Sequence, residues 1–302
     1  MTSSSLPARK VKNTVLSFAE GVWALGFAMA GRLFRQPVSY WSSAGGQRVL
    51  VIAAHPDDEA AGCAGTLIRH KRCGDIVWIV CVTDGRRSRA WGFNPEEMAR
   101  RRRQEAEAGV TVLGADRLEW LGLPEGAWSW EQLRLPLLAL INQFSPHLVY
   151  APSQIDFHPE HHKAAYGLAL ALSDETIGFP APLVRVYQIH VPLTPILTNL
   201  VCDTSGVVAE TAAALTAYAT QADSVIRTVR QRRYAAHFYR LEKQAEEFWQ
   251  MSADQYCLLH SADPGGWPAN RFRGIRFRSL GDPLAYLQGM AERRQLAGLV
   301  RR

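Results

Sequence analysis

Apolar runs and helix-period stripes alternate along most of this chain. Val49-Leu50-Val51-Ile52-Ala53 is a continuous apolar run, the mark of a strand buried on both faces, and it predicts a strand over Arg48–Ala53. A helix over Ala61–Cys73, a strand over Asp75–Val82, a helix over Pro95–Leu113 and a strand over Arg117–Trp120 follow. The same periodicities predict a helix over Trp130–Phe144, a strand over Leu148–Ala151, a helix over Pro159–Leu172 and a strand over Leu183–Ile189. Such alternation implies an α/β fold: a Rossmann-like, mainly parallel sheet with helices on both faces. After a loop rich in Pro and Thr, helical stretches over Val208–Gln221 and Val225–Met251 predict a helical C-terminal extension. Beyond residue 260, Pro264-Gly265-Gly266 and Pro268 favour turns.

The two ends differ from the middle. Gln36–Gln47 carries Pro37, Ser42, Ser43, Gly45 and Gly46, a linker composition. The expected organisation is therefore an N-terminal helix and linker over 1–46, a main domain over 47–260, and an irregular basic extension over 261–302. Within the first part, Val15, Phe18, Val22, Leu25 and Met29 recur at helical spacing across Val15–Ala30. That stretch is broken by Glu20 and is shorter than the roughly 20 residues that span a bilayer. Three readings remain open: a helix docked on the protein's own core, a helix lying on a membrane surface, or a signal peptide with Ala28-Met29-Ala30 as its cleavage site.

Charge narrows the partners. The net charge is +6, and five basic residues against Glu20 leave +4 in the first 46 residues. A localised excess points to an anionic surface near the N-terminus, so no nucleic-acid partner is expected, while peripheral membrane contact through residues 15–30 of a cytoplasmic protein is. Arg271-Phe272-Arg273 and Arg276-Phe277-Arg278, which alternate charge with aromatic residues, suit lipid headgroups, nucleic acid or an edge strand with a solvated face. The 302 residues, 47% hydrophobic, suffice for one large core. Five cysteines without C-x-x-C spacing indicate neither a disulfide framework nor a thiolate zinc site.

The chemistry lies at two strand ends. Ala54-His55-Pro56-Asp57-Asp58-Glu59 directly follows the first strand, and His158-Pro159-Glu160-His161 opens a later helix, with Pro suited to its first position. Catalytic zinc takes three His or carboxylate ligands and keeps a position open, and His55, Asp58 and His161 fit that count. Asp57 is then free to accept a proton, His158 to stabilise an oxyanion or protonate a leaving amine, and Glu160 to orient an imidazole. Gly62-Cys63-Ala64-Gly65 lacks the G-x-G-x-x-G pattern, so a dinucleotide site is poorly supported. His70, His147, His190, His237 and His260 stand in no ligand spacing and read as ordinary core or surface histidines.

AHPDDE paired with HPEH resembles the PIG-L/LmbE family of zinc-dependent N-deacetylases. Thr83-Asp84-Gly85, the Arg102-x-x-Glu105 pair, Leu113-Gly114, Leu121-Gly122-Leu123-Pro124-Glu125-Gly126, Ala213–Gln221 and Glu246–Phe248 extend the similarity over Arg48–Trp249. The resemblance implies Zn2+, or another divalent metal, on His55, Asp58 and His161, with Asp57 as base and His158 as its electrostatic or acid partner. Glu160, Asp84, Arg86 and Arg102 are implied to orient ligands or touch substrate. Two positions depart from the family: Glu160 replaces the usual Asp, and Arg86-Arg87-Ser88-Arg89 is more basic than usual. The implied function is removal of an N-acetyl group from an N-acetylglucosaminyl conjugate, soluble or glycolipid. The alternative is a catalytically inactive, membrane-associated binding protein on the same fold. The aglycone and the oligomeric state stay open.

Overall fold

The computed structural model describes residues 6–261 and 283–300, so the Arg271–Arg278 stretch lies outside the described residues. Its sheet has eight strands: β1 (Ser39–Tyr40), β2 (Arg48–Ala53), β3 (Ile76–Thr83), β4 (Arg117–Leu123), β5 (Leu148–Pro152), β6 (Leu183–Tyr187), β7 (Leu200–Asp203) and β8 (Ala245–Ser252). They lie in the order β1-β7-β8-β6-β5-β2-β3-β4. Every pairing is parallel except those of β8, which runs antiparallel to both β6 and β7. The chain steps from β2 to β3 on one side while β5 pairs with β2 on the other. That reversal opens a crevice beyond the carboxyl ends of β2 and β5, where ligands of such sheets bind.

The helices are α1 (Leu6–Phe34), α2 (Asp58–Arg72), α3 (Pro95–Leu113), α4 (Trp130–Phe144), α5 (Pro159–Leu172), α6 (Val208–Thr216), α7 (Ala222–Tyr239), α8 (Ala253–Ser261) and α9 (Met290–Val300). Strand alternation divides the apolar run of β2 between two cores. Leu50 and Ile52 pack with α4, α5, α8 and α9, whereas Val49 and Val51 pack with α2, α3 and α6. All four side chains are fully buried, each contributing about 1.5–3 kcal/mol. α3 is delimited as its sequence dictates: Asn94 and Glu97 form a capping box, Pro95 fills the first position, and Gly114 closes it in the left-handed region.

The C-terminal part departs from the sequence reading. The expected helix over Val225–Met251 ends at Tyr239, where Arg240 takes φ 60°, and the remainder forms β8. Two adjacent glutamates hid that strand, because both are buried and paired. Glu246 accepts from the Gly65 and Thr66 amides and faces Arg232 at 2.6 Å, while Glu247 accepts from Gln188 and Gln231. Within the segment of linker composition, Ser39–Tyr40 adds an edge strand paired with β7. Residues 290–300, read as irregular, form α9, with Leu296 and Val300 in the core.

α1 docks on α7. Phe27 stacks on Tyr234 at 4.6 Å and meets Tyr286 edge-on at 4.8 Å. At Gly31 the helices approach so closely that a Cβ would lie 2.0 Å from the Phe238 carbonyl oxygen. Val22, Leu25, Met29 and Leu33 nevertheless remain exposed, which makes α1 apolar on two sides. Among the described residues, no helix is long and apolar enough to cross a membrane.

Candidate metal centre

Both histidine motifs reach the same crevice from neighbouring strands. β2 ends in Ala53, and the next turn carries His55 and Asp57 into α2, which starts at Asp58. β5 ends in Pro152, and a short loop leads to His158, the N-cap of α5, with Pro159 at the first helical position. His55 Nδ1 and His161 Nε2 lie 3.2 Å apart, and Asp58 Oδ2 lies 3.5 Å from the first and 3.4 Å from the second. Tetrahedral bonds of about 2.0–2.1 Å hold neighbouring donors about 3.3–3.4 Å apart, so this triangle has the size a zinc ion requires.

The far sides of the two imidazoles meet carboxylates. His161 Nδ1 lies 3.1 Å from Asp156 Oδ2, and His55 Nε2 lies 3.5 Å from Glu125 Oε1. Carboxylates so placed fix the tautomer and raise the basicity of a ligating histidine. Burial drives the Asp58 carboxyl up, but His161 and His55 outweigh it and hold Asp58 well below its ordinary value. Burial likewise pulls the His161 imidazole down, and Asp58 and Asp156 reverse this, leaving it well above. Two further groupings could hold a cation: His158 with His55 and His161, and Asp156 with His161 and His190.

Asp57 is placed by force. Its φ of 135° lies in a region that side-chain-bearing residues rarely adopt, and Arg102 pins it there. The Arg102 Nη2 donates to the Pro56 carbonyl and, at 2.7 Å, to Asp57 Oδ1. Burial raises the Asp57 carboxyl above its usual value, and Arg102 is the largest influence against that rise. His158 accepts the Glu160 amide hydrogen at Nδ1, 3.3 Å, which assigns its own proton to Nε2. Burial and the neighbouring imidazoles of His161, His55 and His190 push His158 down to about 3. It is therefore a neutral donor at physiological pH.

The other expected residues take different places. The Glu160 carboxylate accepts from the Trp128 indole and from Lys163 at 3.2 Å, so its longer arm turns away from His158. Asp84 accepts from Arg86 Nε at 2.6 Å and from the Glu125 amide at 3.2 Å, tying the loop after β3 to the loop after β4. Arg86 is thereby occupied. Arg102 lines the cleft together with His55, Asp57, Asp58 and His158. The sequence reading passed over Asp156, whose carboxylate bridges His161 and His190. His190 itself, read as ordinary, stacks against His161 at 5.2 Å and lines the cleft. It stands three residues past β6, and its place shows only once β6 is set beside β5. Asp156, two residues before His158, did carry a signal in its spacing.

Residues 50–172 match the model of the PIG-L family, described as GlcNAc-PI de-N-acetylase. Residues 50–172 are a PIG-L family domain. All three triangle residues, Asp57 and His158 lie within this domain. The chain is 28% identical over 136 residues to a probable N-acetyl-alpha-D-glucosaminyl L-malate deacetylase 2 of Bacillus anthracis, covering 42% of this chain and 60% of that protein. It is 28% identical over 126 residues to the diacetylchitobiose deacetylase of Thermococcus kodakarensis, covering 40% of this chain and 47% of that one. The matches thus span about half the length of these curated relatives. The PIG-L domain and its surroundings share the fold of N,N'-diacetylchitobiose deacetylase from Pyrococcus horikoshii, with a TM-score of 0.60 at 23% identity over 70% of this chain and 85% of that one.

Proposed function

We propose that this protein is a zinc-dependent amidohydrolase that removes the acetyl group from an N-acetylglucosaminyl conjugate, with residues 47–260 as the catalytic unit. The observation that carries this reading is the zinc-sized triangle of His55, Asp58 and His161, with the ionisable Asp57 beside it in an open cleft. The names of the related deacetylases supply the substrate class. An intact set of ligands, base and oxyanion donor weighs against the inactive binding protein.

When bound, the metal supplies a Lewis acid that polarises the amide carbonyl and acidifies water. Asp57 takes the proton of the attacking water as its oxygen bonds to the acetyl carbon. The neutral His158 donates its Nε2 hydrogen to the oxyanion that develops at the former carbonyl oxygen. Arg102 keeps Asp57 aimed and favours its ionised form before attack. The C–N bond then breaks, the proton held by Asp57 passes to the departing nitrogen, and acetate and a free amino sugar leave. Asp156 and Glu125 hold the ligand rings through their outer nitrogens.

The exposed apolar side of α1, with Arg32 and Arg35 beyond it, supports peripheral attachment to an anionic membrane and hence a glycolipid among the substrates. Mass spectrometry of products from N-acetylglucosaminyl lipids, thiol precursors and oligosaccharides tests the activity. A free amine from at least one is expected with the zinc-loaded chain, and none from the whole panel rejects the deacetylase reading. Flotation with anionic liposomes tests the attachment, and failure of the full chain to float at low salt removes it.

A further inference from the structure

Charge is unevenly distributed around the cleft. Asp57, Asp58 and Glu125 gather at the metal end, and the same cleft is lined by Arg87, from the loop after β3 beside Glu125, and by Arg227 from α7. Other arginines near the cleft are committed elsewhere: Arg102 to Asp57 at 2.7 Å, and Arg86 to Asp84 at 2.6 Å. Arg87 and Arg227 are exposed, and neither has a carboxylate within ion-pair distance among the described residues. Arg227 touches only the Ser224 hydroxyl, at 3.2 Å, in the hydrogen bonds of the described residues.

Arg87 is also held in position. Its amide donates to Glu125 Oε2 at 2.9 Å, and its side chain crosses Gly126, where a Cβ would meet the guanidinium at 2.4 Å. Gly126 takes φ 81°, so glycine serves both the turn and the arginine that lies across it. Next to Arg87, the Ser88 hydroxyl accepts from Gln221 at 3.0 Å and joins the loop to the start of α7. The cleft thus presents two guanidinium groups and the hydroxyls of Ser88, Ser224 and Thr228. Planar guanidinium groups match phosphate and carboxylate oxygens, and two of them in one cleft with no carboxylate partner among the described residues favour an anionic ligand over a neutral one.

We infer that Arg87 and Arg227 form an anion-accepting subsite, so that the N-acetylglucosaminyl conjugate carries a phosphate or carboxylate on its aglycone. This rests on the proposed deacetylase reading for the sugar, but the anion preference is measurable without turnover. The full-length, zinc-loaded Asp57→Asn chain is titrated calorimetrically with methyl N-acetylglucosaminide, with its methyl-phosphate diester counterpart, and with a carboxymethyl glycoside. A fourth ligand carries the phosphate on a diacylglycerol in neutral detergent micelles. At least one anionic glycoside is expected to bind about 10-fold or more tightly than the neutral one. Arg87→Ala and Arg227→Ala should each bring that ratio towards one, as should high salt. Equal affinities, no measurable anionic binding, or a ratio that survives in the double variant overturns the inference. Matching affinities for the methyl and diacylglycerol phosphates support headgroup recognition, and preference for the lipid that persists in the double variant counts against the subsite. Wild-type turnover is scored separately: failure to release amine from any glycoside rejects the deacetylase reading, whatever the anion ratio shows.

Discussion

Replacing Arg102 with Met removes a buried cation while keeping most of its length. Arg102 is only 4% exposed, and its Nη2 spans the Pro56 carbonyl and Asp57 Oδ1. One charge-assisted hydrogen bond to a carboxylate is worth about 1.5–3 kcal/mol, which corresponds to about 1–2 pKa units on Asp57. Burial already raises that carboxyl, and losing its principal opposing charge raises it further. The base must be ionised to act, so the acid limb of kcat/KM should move to higher pH by about 1–2 units, with partial recovery of rate above it. Stability should follow the same sign. With the folded-state value above the unfolded one, the folded chain binds more protons, so the variant's stability is greatest below the unfolded value and is lost as pH rises through the folded one. Leaving the half-buried Asp57 carboxylate without that cation should cost about 1.5–3 kcal/mol once it is ionised, the free-energy equivalent of the shift. Rate–pH profiles and urea unfolding at low and neutral pH measure both effects. An acid limb that stays in place would refute the role assigned to Arg102, while Arg102→Lys should shift it less than Met does.

Metal analysis should find about one zinc per chain, with strong loss in Asp58→Ala or His161→Ala and retention in His158→Ala. Full occupancy in either of the first two would reject the His55, Asp58 and His161 set, and loss in the third would make His158 a ligand, as in its grouping with His55 and His161. Asp57→Asn should retain the metal and slow hydrolysis by about 100-fold or more, and near-normal turnover would remove Asp57 as the base. Away from the site, His70 is buried between Asp75 at 2.5 Å and the Tyr150 hydroxyl at 3.0 Å, and burial brings its imidazole down to about 4 despite Asp75. The unfolded chain then binds the extra proton between about pH 6.5 and 4, so stability is full above that window and falls as pH drops through it, by about 3 kcal/mol. In His70→Gln the slope over that window should flatten, and an unchanged slope in equilibrium unfolding would assign the acid sensitivity elsewhere.

What could be read from the sequence depended on whether a residue's partners lay near it in the chain. Arg48–Ala53 and Pro95–Leu113 emerge with the bounds expected, because an apolar run and a capping box are local signals. β8 does not, since Glu246 and Glu247 are neutralised by Arg232, Thr66, Gln188 and Gln231, residues drawn from α2, α7 and the loop after β6. The same distinction runs through the site. His55, Asp57 and Asp58 announce themselves within one turn, and His158 and His161 within another. His190 and Arg227 become part of the cleft only when β6 and α7 are folded against the PIG-L domain. Ligand geometry for a small ion is compact enough to be encoded in two short motifs. A subsite for the rest of the substrate is assembled from distant segments, so its residues can change while both motifs stand. A change at Arg87 or Arg227 would accordingly alter which conjugate binds and leave the His55, Asp58 and His161 triangle in place.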